Sequence, residues 1–232
     1  MLSRPAPAGP PASRGDRGRP SCRVLPFGYH VTMSAEPLVV HSLTEASLYL
    51  MLARCRDCGD SVIPESVPTG PDPSGGLTVP VVCRSCGRED SVSFDISGMD
   101  PAEAAVGLAG WSALAEAGQA PPVNPTDSPS QVIDVAGWLN LHTMLSATAR
   151  SKMEQATSSA DRMVARQLQI QAGQCLEEAL KFYDAENELP PDDAFFTEAG
   201  REQFREHPEV FLRGRIVSLK AQSASRSKWT DK

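Results

Sequence analysis

Four cysteines in the N-terminal half of the chain have the spacing of metal ligands. They form two Cys-x-x-Cys pairs, Cys55 with Cys58 and Cys83 with Cys86, and 24 residues separate the pairs. A Cys-x-x-Cys segment bends tightly enough for both thiolates to reach one ion, and two pairs complete the tetrahedral set that Zn²⁺ prefers. Because four protein ligands leave no position for water or substrate, the pattern predicts one structural Zn²⁺ per chain.

A glycine follows each pair, at Gly59 and Gly87. Glycine adopts positive φ without strain, and a turn of this kind directs backbone N–H groups toward the sulfurs. Disulfides and idle thiols are the competing interpretations. Two disulfides would be unusual in a reducing cytoplasm, and a thioredoxin-type site uses one pair within a βαβ unit. Zinc is therefore favoured, with iron as the main alternative metal.

β-prone segments surround the cysteine pairs. DSVIPESV and LTVPVVC favour strands, and the intervening PTGPDPSGG favours a loop. A third segment, DSVSFDIS, alternates polar and apolar residues as a half-buried strand does. Three short antiparallel strands with two cysteine turns resemble a zinc ribbon over residues 55–96. This resemblance implies a small β-rich unit in which the four cysteines ligate zinc.

Four arginines flank the cysteine pairs, at Arg54, Arg56, Arg84 and Arg88. A cluster of this kind is one way to contact nucleic acid. However, residues 54–90 carry more acidic than basic side chains, whereas nucleic-acid modules normally have a net basic footprint. We therefore expect the arginines to balance the negative charge of a zinc ion bound to four thiolates.

Charge and composition limit the classes of function. The net charge is -7, and the chain is basic at residues 1–33 and 213–232 and acidic between them. An acidic body disfavours nucleic acid over the whole surface. No apolar stretch suits a membrane span or a secretory signal, so a cytoplasmic location without membrane contact is expected. Segment 1–33 is predicted to be a disordered leader, and Met33 is the favoured translation start.

Helical signals surround the ribbon. Ser42 followed by Glu45 is a capping-box pattern, which predicts a short helix leading into the first cysteine pair, although a strand through LYLML competes. Residues 42–97 are thus expected to form this helix and the ribbon. Residues 98–127 are predicted to be a linker because prolines cluster near its end, with a short helix in PAEAAVGLAGWSALAEA.

Two amphipathic helices predict a helical bundle over residues 128–222. Ser128, Pro129 and Gln131 indicate the start of the first helix. Its apolar face comprises Trp138, Leu141, Leu145 and Ala149. The second helix, roughly 159–186, has an apolar stripe of Val164, Leu168, Ala172, Cys175, Ala179 and Phe182. CLEEALKFYDAENELPPDD resembles the second helix and exit turn of a tetratricopeptide repeat, so the hairpin is expected to be loosely tetratricopeptide-like.

The C-terminal segment is expected to cover this hairpin with further helices. Thr197 is a candidate cap, and His207-Pro208 interrupts the helical pattern. Arg213, Arg215 and Lys220 on the last helix are expected to be solvated charges, which also suit the dipole near a helix C-terminus. A contact for an acidic partner is the alternative. A disordered tail is predicted at residues 223–232. The fold is therefore expected to be α+β and mainly α.

No catalytic constellation stands out in the sequence. The four histidines lie far apart, and there is no zinc-protease motif, phosphate-binding glycine loop or Gly-x-Ser-x-Gly elbow. We expect a non-enzymatic, zinc-binding cytoplasmic protein that serves as a scaffold or adaptor for a protein partner. The alternatives are a nucleic-acid-associated zinc-ribbon regulator and a zinc-thiol redox switch.

Overall fold

The computed structural model describes residues 29–30, 36–66, 75–99 and 122–227. We call residues 36–66 and 75–99 the cysteine unit and residues 122–227 the helical unit. The fold is α+β and mainly α, which confirms the prediction. Most of the predicted leader and the helix predicted in PAEAAVGLAGWSALAEA lie outside the described residues.

The cysteine unit is built on a four-stranded sheet with the strand order β2-β6-β5-β4. These strands are β2 Leu38–Val39, β4 Val62–Pro64, β5 Gly76–Cys83 and β6 Glu89–Asp95. β4, β5 and β6 pair antiparallel, as the sequence predicted, and β2 adds a fourth strand parallel to β6. Two further strands, β1 Tyr29–His30 and β3 Ala53–Arg54, pair in parallel, so β1 falls inside the segment that was predicted to be disordered.

Helix α1, Leu43–Leu52, leads directly into β3 and the first cysteine pair. Ser42 is its N-cap, and the Ser42 hydroxyl accepts the N–H of Glu45 at 2.9 Å, which confirms the capping signal. The Glu45 carboxylate instead accepts the N–H of His41 at 2.5 Å. Because α1 contacts both β4 and the helical unit, most of its residues are buried.

Within the helical unit the structure describes four α-helices. They are α2 Val135–Gln155, α3 Ser159–Leu180, α4 Glu198–Glu206 and α5 Arg213–Ser227. The two long helices, α2 and α3, pack against each other as a hairpin, and α5 packs on α3. His142 Nδ1 lies 2.9 Å from the Ala172 carbonyl oxygen, which places these two residues at the same level of the hairpin.

The apolar faces of the hairpin follow the prediction closely on α2 and less closely on α3. All four predicted α2 residues are buried: Trp138, Leu141, Leu145 and Ala149. On α3, Ala172, Cys175 and Ala179 are buried, whereas the other predicted members are only half-buried. α3 also ends at Leu180, before the predicted end near 186. Glutamines take inner positions on this helix, and Gln169 Nε2 donates to the Ser223 hydroxyl at 2.9 Å.

The start of α2 corrects the prediction of a cap at Ser128. The helix begins at Val135, and the N-cap is Asp134. The buried Asp134 carboxylate accepts the N–H of Gly137 at 2.9 Å and the hydroxyl of Thr197 at 2.5 Å. Because Thr197 is itself the N-cap of α4, as the sequence predicted, one carboxylate organises the starts of two helices. The sequence near Ser128 does not indicate this contact, because Asp134 and Thr197 are 63 residues apart.

The last helix also departs from expectation. α5 begins at Arg213, so Arg213 and Arg215 lie in its first turn, where positive charge opposes the helix dipole. The expected favourable dipole interaction is therefore wrong for these two residues. α5 continues to Ser227, beyond the predicted bundle boundary at residue 222. Before it, Phe204 stacks on Phe195 with ring centroids 4.4 Å apart, and Phe211 lies edge-to-face with both rings at 5.0 and 5.6 Å.

The two units share one hydrophobic core. A single cluster of buried side chains extends from Leu48 of α1 and Phe94 of β6 to Trp138 of α2 and Leu176 of α3. The Ser42 hydroxyl also donates to the carbonyl of Val123, which joins the two units at the N-terminus of α1. In the described part of the chain, no helix combines the length and the apolar character that crossing a membrane requires.

Candidate metal centre

The two cysteine pairs lie on turns with the same backbone pattern. The N–H of Gly59 donates to the carbonyl of Cys55 at 2.8 Å, and the N–H of Gly87 donates to that of Cys83 at 3.1 Å. Both glycines have positive φ, 72° and 71°, as the sequence predicted. Residues other than glycine rarely adopt this backbone conformation, so each turn depends on its glycine.

Strand pairing brings these two turns together. The N–H of Cys55 donates to the carbonyl of Asp60 at 2.7 Å, and the N–H of Cys83 donates to that of Arg88 at 2.8 Å. Each turn is thus closed by the residue that follows its glycine. β4 leaves the first turn and pairs with β5 so that Val62 lies opposite Cys83. The start of the second turn is therefore held beside the exit from the first.

The four cysteine sulfurs converge on one point. All four lie within 4.8 Å of one another. The Cys58 sulfur is 3.3 Å from that of Cys83 and 3.7 Å from that of Cys86, and the Cys55 and Cys86 sulfurs are 3.7 Å apart. A disulfide needs about 2.05 Å, so these cysteines are not cross-linked. Sulfurs at about 2.3 Å from a tetrahedral metal ion would be about 3.8 Å apart, so the arrangement can hold one metal ion.

Backbone N–H groups stabilise negative charge on the sulfurs. Burial raises the pKa of Cys83, but hydrogen bonds from the N–H groups of Cys86 and Ser85 and from neighbouring thiols outweigh it and lower the pKa to about 7. The N–H of Asp60 lowers the pKa of Cys58, but hydrogen bonds with the other thiols and burial raise it to about 12. In the absence of a metal ion, Cys83 therefore ionises more readily than Cys58, which donates a hydrogen bond to it.

Ion pairs join the outer surfaces of the two turns. Arg88 pairs with Asp57, and its Nε lies 3.7 Å from Oδ2 of Asp90. Arg56 Nε lies 3.8 Å from that same oxygen. These two arginines are therefore paired with acidic side chains on the outer surface of the turns, and their balance of a metal–thiolate charge stays a prediction. Such partly exposed pairs each contribute roughly 0–1 kcal/mol to stability.

Asp60 is a positioning residue that the sequence did not identify. Its carboxylate accepts the N–H of Ser61 at 2.7 Å and the hydroxyl of Ser85. Ser85 lies in the second turn, so Asp60 bridges the two turns by its side chain as well as closing the first by its carbonyl. The sequence shows an aspartate directly after the first Cys-x-x-Cys-Gly segment, but its partner Ser85 is 25 residues away and could not be predicted from that position.

The remaining cysteine of the described residues lies in a different environment. Cys175 is buried in α3 within the hydrophobic core. Burial raises the pKa of its thiol, and the nearby Glu178 adds to this effect. Cys175 packs as a small apolar side chain in the core, as the sequence predicted. Across the described ranges, the four-cysteine cluster is the one group of three or more His, Cys, Asp or Glu side chains that can hold a metal ion.

No family model matches the chain, and no match was found among curated proteins or among solved structures.

Proposed function

We propose that this chain is a non-enzymatic protein that binds one structural Zn²⁺ through Cys55, Cys58, Cys83 and Cys86 in a unit resembling a zinc ribbon. The observation that carries the proposal is the convergence of four sulfurs within 4.8 Å. Four thiolates fill the tetrahedral coordination of zinc and leave no position for a substrate or a reactive water.

The architecture of the cysteine unit supports a structural role for the proposed zinc ion. The two turns are far apart in sequence, and a shared ion cross-links them at the end of a short sheet. Structural zinc contributes roughly 10–16 kcal/mol to the folding of small domains at neutral pH. Four thiolates also suit iron, so the choice of zinc follows from its prevalence in closed structural sites of this type and is open to direct measurement.

We further propose that the protein acts in the cytoplasm as a scaffold or adaptor for a protein partner. Large apolar side chains are exposed on the helical unit, namely Met144, Met163, Ile170, Phe196 and Val217. Apolar and methionine side chains of this kind are common in the centres of protein interfaces. A nucleic-acid role receives less support, because Arg56 and Arg88 beside the cysteine turns are already paired with Asp57 and Asp90.

Elemental analysis of the purified full chain tests the zinc proposal. We expect one zinc per chain, and we expect Cys83→Ser to lose it. Cys175→Ser is the matched control, because this cysteine lies outside the cluster, and it should retain the metal. A protein without metal whose four cluster thiols all react under native conditions would overturn the proposal, and iron in place of zinc would correct the choice of metal.

Affinity capture from the protein's own cells tests the scaffold proposal. The expected result is a protein partner that survives nuclease treatment and salt near 0.5 M, since an apolar interface depends little on charge. Loss of all captured material on nuclease treatment would instead favour the nucleic-acid role.

A further inference from the structure

The four cysteines of the cluster differ in their access to solvent. Cys55 and Cys83, the first residue of each pair, are 3% and 2% exposed. Cys58 is half-buried, and Cys86 is exposed. The cluster therefore has an inner pair that is packed into the hydrophobic core and an outer pair at the surface. The two outer cysteines come from different turns, and their sulfurs are 3.7 Å apart.

We propose that Cys86 is the site at which hydroperoxides and other thiol-directed electrophiles modify this protein, and that oxidation proceeds to a Cys58–Cys86 disulfide with release of the metal ion. This inference rests on the proposed metal site. The inference adds the order in which the four cysteines react, because a metal site alone does not determine that order.

The chemistry requires one hydroperoxide per disulfide. The Cys86 thiolate attacks the terminal peroxide oxygen, the O–O bond breaks, and Cys86 becomes a sulfenic acid as the leaving oxygen takes a proton. The Cys58 thiolate then attacks the Cys86 sulfur, the S–S bond forms, and hydroxide leaves as water after protonation. Two thiolates are oxidised, one peroxide is reduced, and the metal ion loses two of its four ligands.

Burial selects Cys58 as the second reactant. The Cys55 sulfur is as close to Cys86 as the Cys58 sulfur is, at 3.7 Å. Cys55 and Cys83, however, are held in the core and by the backbone hydrogen bonds that close their turns. Moving either sulfur outward would break that packing, whereas Cys58 and Cys86 can approach each other at the surface.

The disulfide would leave the two turns joined. The Cys58–Cys86 bond would join the same two turns whose cysteines would hold the metal ion, and the inner cysteines would stay in the core. A thiol reductant that attacks this disulfide would regenerate both outer thiolates, and the metal ion would then bind again. The modification is therefore expected to be reversible.

Alkylation of the zinc-loaded full chain tests the order of reaction. Iodoacetamide is added under native conditions, and each cysteine is followed by mass mapping over time. We expect Cys86 to be labelled first, roughly tenfold faster than Cys55 and Cys83, because accessible thiolates react faster than buried ones. The buried Cys175 is the internal control and should react slowly throughout.

Oxidation tests the product. One equivalent of hydrogen peroxide should release one equivalent of zinc to a chromophoric chelator, peptide mapping should find the Cys58–Cys86 linkage, and a thiol reductant with added zinc should restore the metal content. Cys86→Ser should slow zinc release, and if that variant binds no zinc, the labelling order in the wild type still decides.

The outcomes separate this inference from the proposed function. A zinc-loaded protein in which Cys55 or Cys83 reacts first, or in which the disulfide forms within one turn, overturns the inference and leaves the zinc site intact. A purified protein that contains and takes up no metal overturns both.

Discussion

At the scale of single residues, the glycine after each cysteine pair determines whether the turn can form. Gly87 has φ of 71°, and a Cβ added there would meet nothing within 4 Å. A substitution would thus be penalised by backbone conformation alone, without a steric clash. Gly98 offers a matched comparison, because a Cβ there also meets nothing within 4 Å and its φ is not in the left-handed region.

We expect Gly87→Ala to destabilise the metal-bound cysteine unit by about 1–2 kcal/mol, the usual cost of a left-handed conformation for an L-residue. Zinc affinity should fall by roughly tenfold, as about 1.4 kcal/mol corresponds to tenfold in an equilibrium constant. Gly98→Ala should change affinity by less than about twofold, since its backbone carries no such strain. Competition with a chromophoric chelator measures both. Equal losses in the two variants would contradict the role of the positive φ.

At the scale of elements, α1, the segment before α2, and α3 meet at a buried polar junction. Glu178 of α3 is 4% exposed, and its carboxylate accepts Asn124 Nδ2 at 3.1 Å and pairs with Lys181 Nζ at 2.9 Å. Burial raises the pKa of Glu178, the contacts with Lys181 and Asn124 oppose this shift, and Glu45 of α1 adds to it. Glu45 is itself fully buried, and its Oε2 lies 3.3 Å from Nδ1 of His41.

The raised pKa makes the junction sensitive to pH in a defined direction. The folded state holds the Glu178 proton more tightly than the unfolded state does. Its contribution to the free energy of unfolding is therefore complete below the unfolded pKa near 4.5 and is lost as the pH rises through the higher folded pKa. Glu178→Gln removes this titration, so the stability of the variant relative to the wild type should increase as the pH rises from about 4 to about 8.

Denaturant unfolding followed by helical circular dichroism, repeated across this pH range, measures the difference. Glu177→Gln is the matched control, because Glu177 is the preceding residue on α3 but is exposed and pairs with Lys220 at 3.0 Å. Its stability relative to the wild type should change less with pH. A Glu178→Gln difference that shrinks as the pH rises would show that the pairing with Lys181 outweighs burial.

At the scale of the whole molecule, a continuous hydrophobic core connects the four-cysteine cluster to the helical unit. α1 ends at the strand that precedes Cys55, and it packs against α2. Loss of the metal ion would release the two turns and loosen the sheet beneath α1. The apolar surface that α1 covers on the helical unit would then become exposed. Each Å² of exposed apolar surface lowers the free energy of unfolding by about 25 cal/mol.

We therefore expect chelation to lower the thermal midpoint of the helical signal of the full chain by several degrees, since about 1 kcal/mol shifts such a midpoint by roughly 2–4 °C for a protein of this size. A fragment comprising residues 122–232 is the control. It contains none of the four cluster cysteines, so its midpoint should not respond to chelator. An unchanged midpoint in the full chain would show that the two units are energetically independent despite their shared core.

Several features could be predicted from the sequence because their causes are local. The four cysteines and their glycines specify the turns within a few residues of chain. The Ser42 and Thr197 caps act across three residues, to Glu45 and Gly200. The buried face of α2 follows from the helical repeat, which places Trp138, Leu141, Leu145 and Ala149 on one side.

Other features were decided only in the tertiary structure, because their causes lie between residues remote in sequence. Asp134, the N-cap of α2, also accepts the hydroxyl of Thr197, 63 residues away, so one carboxylate joins the starts of α2 and α4. Strand β2 joined the sheet by pairing with β6. The inner glutamines of α3 became buried because α2 and α5 both pack on that helix. The unequal exposure of the four cysteines arose in the same way, since packing around the turns, and not their identical sequence pattern, determines which sulfurs solvent can reach.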